Sequence, residues 1–214
     1  MTDHPDHDAT PPVPPPVPPS VPPPVPPSVP PSVLTDLRAL DGAVYAAVAA
    51  TSTPTLDSAL RRLSRAADHS KISLAVSALL ALRPGRPRQA AVAGVGAVAL
   101  ASVAANLVGK QLVHRPRPDR ELARVTVGRQ VAMPESASFP SGHTASATAF
   151  ATAVGVLLPP LALPLGALAT AVGYSRVHTG VHYPGDVAAG ALLGFAAAVA
   201  SLAVVRTVPP SLPE

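Results

Sequence analysis

The chemistry of this chain concentrates in Ser175-Arg176-Val177-His178-Thr179-Gly180-Val181-His182-Tyr183-Pro184-Gly185-Asp186, where one arginine, two histidines and one aspartate stand between two strongly apolar segments. A histidine with an aspartate four positions on, as in His182 and Asp186, can be held by that carboxylate in one tautomer, leaving its other ring nitrogen as a nucleophile or base. Arg176 adds a planar fork of donors suited to a phosphate or carboxylate and stays charged in almost any surroundings. The stretch reads as part of an anion site that other segments must complete.

Two further polar clusters qualify. In Lys110-Gln111-Leu112-Val113-His114-Arg115-Pro116-Arg117-Pro118, seven positions separate Lys110 from Arg117. On a helix that spacing returns a side chain to nearly the same face, so the two cations can clamp one anion, even with prolines ending the helix between them. Taken alone, the cluster also fits the basic rim that flanks many membrane spans. In Phe139-Pro140-Ser141-Gly142-His143-Thr144, a capping hydroxyl and free backbone N–H groups at the mouth of an apolar helix make a phosphate cradle, with His143 in the first turn.

The elements that position these clusters are apolar. Of 214 residues, 48% are hydrophobic and only 3% aromatic, with no cysteine or tryptophan. Ala, Val, Leu and Gly in such excess suit helices packed against one another in lipid better than a water-soluble core. The absence of cysteine excludes disulfides and thiolate metal sites. A net charge of +4 comes without aromatic interleaving, finger spacing or a long basic run, which argues against nucleic acid and for an anionic headgroup or substrate.

Periodicity places spans over residues 89–109, 143–158, 161–174 and 187–205, preceded by a shorter apolar run at 72–82. A bilayer core of about 30 Å needs roughly 20 helical residues, so the 72–82 run crosses only with Asp68, His69 and Lys71 at its boundary. Alternating crossings put Lys110, Ser141 to His143, Arg176 and Asp186 on one face of the membrane. The sidedness of that face stays open, because its excess of Lys and Arg, which would place it in the cytoplasm, includes residues that substrate would occupy. The segment between Arg120 and Glu135 is the longest inter-span loop and reads as a lid or headgroup-selecting element.

Ahead of the spans, residues 33–68 form two amphipathic interfacial helices, the second basic through Arg61, Arg62 and Arg65. Residues 1–32 hold a proline tract from Pro11 to Pro31, expected to be an extended, disordered tail, a spacer or a ligand for a proline-binding partner. No signal peptide is expected there, since a basic start and a long apolar core are missing. Residues 69–207 make up the membrane-embedded unit, and 208–214 a disordered end.

Taken together, the three clusters resemble the signature of the phosphatidic acid phosphatase type 2 superfamily: Lys-x6-Arg-Pro, then Pro-Ser-Gly-His, then Ser-Arg-x5-His-x3-Asp. Here these stand as Lys110…Arg117-Pro118, Pro140-Ser141-Gly142-His143 and Ser175-Arg176…His182…Asp186, complete and in order over roughly residues 70 to 205. The resemblance implies an all-α bundle of about five transmembrane spans and a multi-pass cell-membrane phosphatase that needs no metal or other cofactor. It further implies that His182 attacks phosphorus to give a phosphohistidine, Asp186 orients it, and His143 gives and takes the proton. Lys110, Arg117, Ser141, Gly142 and Arg176 would hold the phosphoryl oxygens. The implied substrate is a lipid phosphate or polyprenyl diphosphate whose tail stays in the bilayer.

Arg115 lies off the family spacing and is read as a flanking cation; His178 matches no motif position and is read as structural or as a rim contact. Vanadate-dependent haloperoxidases carry the same motifs but are larger soluble proteins. A non-catalytic membrane adaptor presenting the proline tail is the other reading, and the presence of His143, His182 and Asp186 together weighs against it.

Overall fold

The computed structural model describes residues 32–207, which form helices and connecting loops. The proline tract and the 208–214 end lie outside the described residues. Seven helices follow in order: α1 (Val33–Ala50), α2 (Pro54–Ala66), α3 (Lys71–Ala81), α4 (Arg86–Leu112), α5 (Gly142–Leu157), α6 (Ala162–His178) and α7 (Pro184–Thr207).

Helix α5 is the centre of the bundle and packs against α4, α6 and α7, while α3 lies on α4. The sequence achieves this with small side chains four apart. Ala93, Ala97 and Ala101 of α4 meet Ala145, Ala149 and Ala153 of α5 and Ala197 and Ala198 of α7 in one buried cluster. Gly190 and Gly194 of α7 approach α5 so closely that a Cβ at either would strike the carbonyl oxygen of Ser141 or Ala145. Where lipid removes the hydrophobic drive between helices, such close backbone approach supplies the dispersion contacts that hold them. The bundle therefore coheres with few large side chains; Phe150, over Gly94, is an exception.

Helices α4 and α7 are long and apolar enough to cross a membrane, with mean hydropathies of 2.0 and 2.2. Helices α3, α5 and α6, at 11, 16 and 17 residues, are shorter than the roughly 20 residues of a full crossing. The fourth expected span runs on from Tyr174 to His178, and the fifth begins at Pro184 instead of Val187. Both extensions take in Arg176, His178 and Asp186, polar residues that have buried partners and so do not end a helix. Pro159-Pro160, which lack donors, separate α5 from α6 as expected.

The seven-position helical reading of Lys110 and Arg117 is corrected. α4 ends at Leu112, Val113 is extended, and the two cations converge by another route described below. Just before that end, α4 widens into a π-helical stretch at Ala104–Gly109. Helix α1 lies across α6 and α7 and leaves Val33, Leu34, Leu37, Leu40 and Val44 exposed.

Candidate active site

The end of α6 and the start of α7 form one continuous device. Gly180 takes φ +72, the left-handed conformation that suits a glycine just past a helix end, and its N–H donates to the Val177 carbonyl at 2.9 Å. The reversal brings the N–H groups of Val181 and His182 back to the Arg176 carbonyl at 3.1 and 3.2 Å. The spacing between Arg176 and His182 is the length of this capping turn. Pro184 opens α7, and the Asp186 carboxylate reaches back to the Tyr183 N–H at 2.9 Å, as a third-position acid does in a capping box. Asp186 is therefore fixed by the helix start it caps.

That placement sets Asp186 Oδ2 3.4 Å from Nδ1 of His182, with Ser138 Oγ donating to the same oxygen and lying 3.5 Å from Nδ1. Nε2 faces the Arg117 guanidinium, with Nη1 at 3.3 Å. A donor at that distance leaves Nε2 as the lone-pair nitrogen and puts the ring proton on Nδ1, toward Asp186. Burial, reinforced by Arg117 and Arg176 and opposed by the bond to Asp186, lowers the His182 pKa to about 4. The ring is neutral at ordinary pH.

Cations surround that nitrogen. Arg117 is anchored by the carbonyls of Val181 at 2.8 Å, Ser136 at 2.9 Å and Ala137 at 3.3 Å. Lys110 Nζ donates to Asn106 Oδ1 at 2.7 Å and to Ser136 Oγ at 3.0 Å, and Arg117 Nη2 also meets that hydroxyl at 3.3 Å. Ser136, on the loop returning toward α5, is what brings Lys110 and Arg117 together. Arg176 is 2% exposed; one arm donates to Ser64 Oγ of α2 at 2.6 Å, while its Nε has no partner. A buried guanidinium N–H without an acceptor is costly and is the kind of donor an anion would satisfy.

His143, in the first turn of α5, pairs through Nε2 with Asp68 Oδ1 at 2.8 Å. Asp68 sits in the turn between α2 and α3, where His69 and Ser70 both take positive φ. Lys110, Arg117, Gly142, His143, Arg176 and His182 all line one cleft of about 700 Å³. Ser141 does not. It occupies the N-cap position of α5, but its side chain makes no capping bond and is fully buried, accepting from Thr144 Oγ1 at 3.0 Å. Among the described residues no three His, Asp or Glu side chains gather as a metal-binding group.

Sequence reasoning passed over several members of this assembly. Ser136 and Ser138 sit in an irregular loop with no periodicity to flag them. The sequence places Asp68 at the membrane boundary, and its only further signal is its position beside a helix break. Arg115 is corrected from flanking cation to partner of Asp186, at 2.9 Å. The reading of His178 as structural matches its place: a buried ring bonded through Nε2 to Asp57 at 3.0 Å. Asp57 also takes Arg129 Nε at 2.8 Å, and Arg129 reaches the α1 end through the carbonyls of Val48 and Thr51. Burial acts to raise the Asp57 pKa, but the bonds from Thr53 and His178 and the charge and bond of Arg129 outweigh it, so the carboxyl lies below its ordinary range. The loop read as a lid is thus fastened at Arg129, and at Arg120 through Gly180 and Val131, with Val131 to Pro134 forming a cleft wall.

Residues 91–209 match the family model described as the PAP2 superfamily. The chain is 37% identical over 172 residues to the decaprenylphosphoryl-5-phosphoribose phosphatase of Mycobacterium tuberculosis, covering 73% of this chain and 87% of that protein. Its fold is similar to a transmembrane PAP2-type phosphatidylglycerolphosphate phosphatase from Bacillus subtilis, with TM-score 0.66 and 20% identity over 82% of this chain and 89% of that one. The Aquifex aeolicus LpxE structure gives TM-score 0.63 and 25% identity over 77% of this chain and 95% of that one.

Proposed function

Since the chain belongs to the PAP2 superfamily and is an integral membrane phosphatase of lipid phosphates, we propose that it hydrolyses a polyprenyl-linked sugar phosphate at the cell membrane through a phosphohistidine on His182. The observation that carries the mechanism is the orientation of that ring, with Nδ1 toward Asp186 and Nε2 facing Arg117 on the cleft wall.

Nε2 attacks the phosphorus of the terminal phosphomonoester, and the P–O bond to the sugar hydroxyl breaks. The departing oxygen takes a proton from His143, and Asp186 stabilises the charge that grows on the His182 ring. Water then attacks the phosphorus of the N–P adduct, giving its proton to His143, and orthophosphate leaves with Nε2 restored. Lys110, Arg117, Arg176 and the Gly142 N–H would hold the equatorial oxygens, where charge builds in the transition state.

The substrate class rests on two supports. One is the relative named for decaprenylphosphoryl-5-phosphoribose, which the chain matches over most of its length. The other is the cleft lining, where Arg65 and Lys71 add cations to those around His182, suited to a substrate that carries a second phosphate. Phosphate release by the detergent-purified protein from a polyprenyl-phosphoryl phosphoribose should exceed that from phosphatidate or a polyprenyl diphosphate. Equal rates on all three would overturn the substrate class, and turnover persisting in His182→Ala would overturn the nucleophile.

A further inference from the structure

We propose that helix α1 is part of the catalytic apparatus, with Asp41 and Arg115 serving as positioning residues for Asp186. Neither residue belongs to the three motifs, and α1 lies ahead of the segment matched by the family model, which begins at residue 91.

The Asp186 side chain is wholly buried, and its two oxygens have different partners. Oδ2 takes Ser138 and the Tyr183 N–H and faces His182, whereas Oδ1 takes Arg115 Nη1 at 2.9 Å. A buried carboxylate left without its cation is strongly unfavourable, so the orientation of Asp186 depends on Arg115. The Arg115 guanidinium lies 4.0 Å from the Tyr183 ring centroid and gives its other arm, Nη2, to Asp41 Oδ2 at 2.6 Å. Asp41 Oδ1 accepts the Gly185 N–H at 2.7 Å. One α1 side chain therefore holds both the cation on Asp186 and the first turn of the helix that carries it.

Asp41 does not act alone on that face. Tyr45, one turn along α1, is 5% exposed and meets Tyr183 edge to face at 5.4 Å between ring centroids. Burial pushes the Tyr45 hydroxyl up to about 12, so it stays neutral beside this charge network. Asp41, Arg115 and Asp186 form an alternating chain of charges from the N-terminal helix to the imidazole of His182.

The inference rests on reading His182 and Asp186 as the catalytic pair, and the experiment separates the two. In the full-length protein in detergent, Asp41→Asn and Arg115→Gln should each lower kcat roughly ten- to a hundredfold, as small misplacements of a reacting group do, with KM within about twofold. Because Asp41 acts in part through Arg115, the double variant should lose less than the product of the two single losses. Arg115→Lys, which keeps the charge but not the two-armed geometry, should recover only part of the loss. Arg115→Gln should also move the acid limb of kcat/KM to higher pH. With its cation gone, Asp186 favours protonated His182 more strongly against Arg117 and Arg176, which oppose it.

Unchanged kcat in both single variants, or losses that track a falling melting temperature with no shift in the pH profile, would overturn the proposal. If Arg115→Gln does not fold, Asp41→Asn decides alone, since it leaves Arg115 in place. Activity surviving in His182→Ala would instead defeat the underlying reading of the site.

Discussion

Asp68 and His143 stand 75 positions apart in the chain and share a 2.8 Å bond between Oδ1 and Nε2. The turn that carries Asp68 bends through two consecutive left-handed residues, His69 and Ser70, at the edge of the cleft. A histidine that must deliver a proton to a departing alkoxide and then accept one from water gains from a carboxylate that fixes its ring. Asp68→Asn should lower turnover of a lipid monophosphate by roughly a hundredfold. p-Nitrophenyl phosphate, whose leaving group needs little protonation, should lose far less. Equal losses on both substrates would remove Asp68 from proton transfer.

The pH dependence of kcat/KM tests His182. The proposed nucleophile is the neutral ring, and its pKa is lowered from 6.5 to about 4 by burial and by Arg117 and Arg176. The acid limb belonging to this group should therefore fall near pH 4, with activity retained through pH 6. The linked effect on stability has a definite sign. Between pH 6.5 and about 4 the unfolded chain binds the proton that the folded one refuses, so His182 makes the protein less stable as pH falls through that window. Titration of phosphate release on a soluble short-chain substrate measures the limb, and a limb near 6.5 would contradict the assigned environment.

Arg129 is 2% exposed and ties Asp57 of α2 and the last carbonyls of α1 to the loop between α4 and α5. Arg129→Met would leave Asp57 with His178 and Thr53 as partners and the α1 end uncapped. Breaking a buried pair in this way should cost about 3 kcal/mol or more, seen as a lower melting temperature in detergent. The surviving folded fraction should keep a near-normal KM, because Arg129 does not line the cleft.

Gly180 tests the capping turn. At φ +72 any side chain is strained, and a Cβ there would lie 3.0 Å from Arg120 Cγ and 3.2 Å from the Tyr45 hydroxyl. Gly180→Ala should destabilise by about 1 to 3 kcal/mol. It should also lower kcat, since the turn sets the distance between Arg176 and His182. Full kcat with only a lowered melting temperature would mean that this distance is set elsewhere.

Much of the bundle is legible in the sequence, because apolar runs and prolines place the bodies of α4 to α7, though polar residues with partners carry α6 on to His178 and start α7 at Pro184. The motif residues are legible too, through fixed spacings that a helix end and a helix start impose. The rest fails for a physical reason: it depends on which polar side chain of one element meets which of another. Nothing local distinguishes Asp41 from Asp36 on α1, yet only Asp41 lies on the face that also carries Tyr45 toward Tyr183. Lys110 and Arg117 meet as expected, but through Ser136 and not along one helix. Ser141 has the residue type and position of a cap, and its hydroxyl is taken by Thr144.

The π-helical stretch at Ala104–Gly109 lies immediately before Lys110, and Asn106 within it holds the lysine ammonium. Each residue of an α-helix advances the side-chain direction by about 100°. Losing a single residue here would swing Lys110 by more than a quarter turn relative to the anchored half of α4. Length changes in this family member should therefore be tolerated in the turn at Leu82 to Gly85 and selected against between Ala104 and Lys110, whatever residues are gained or lost.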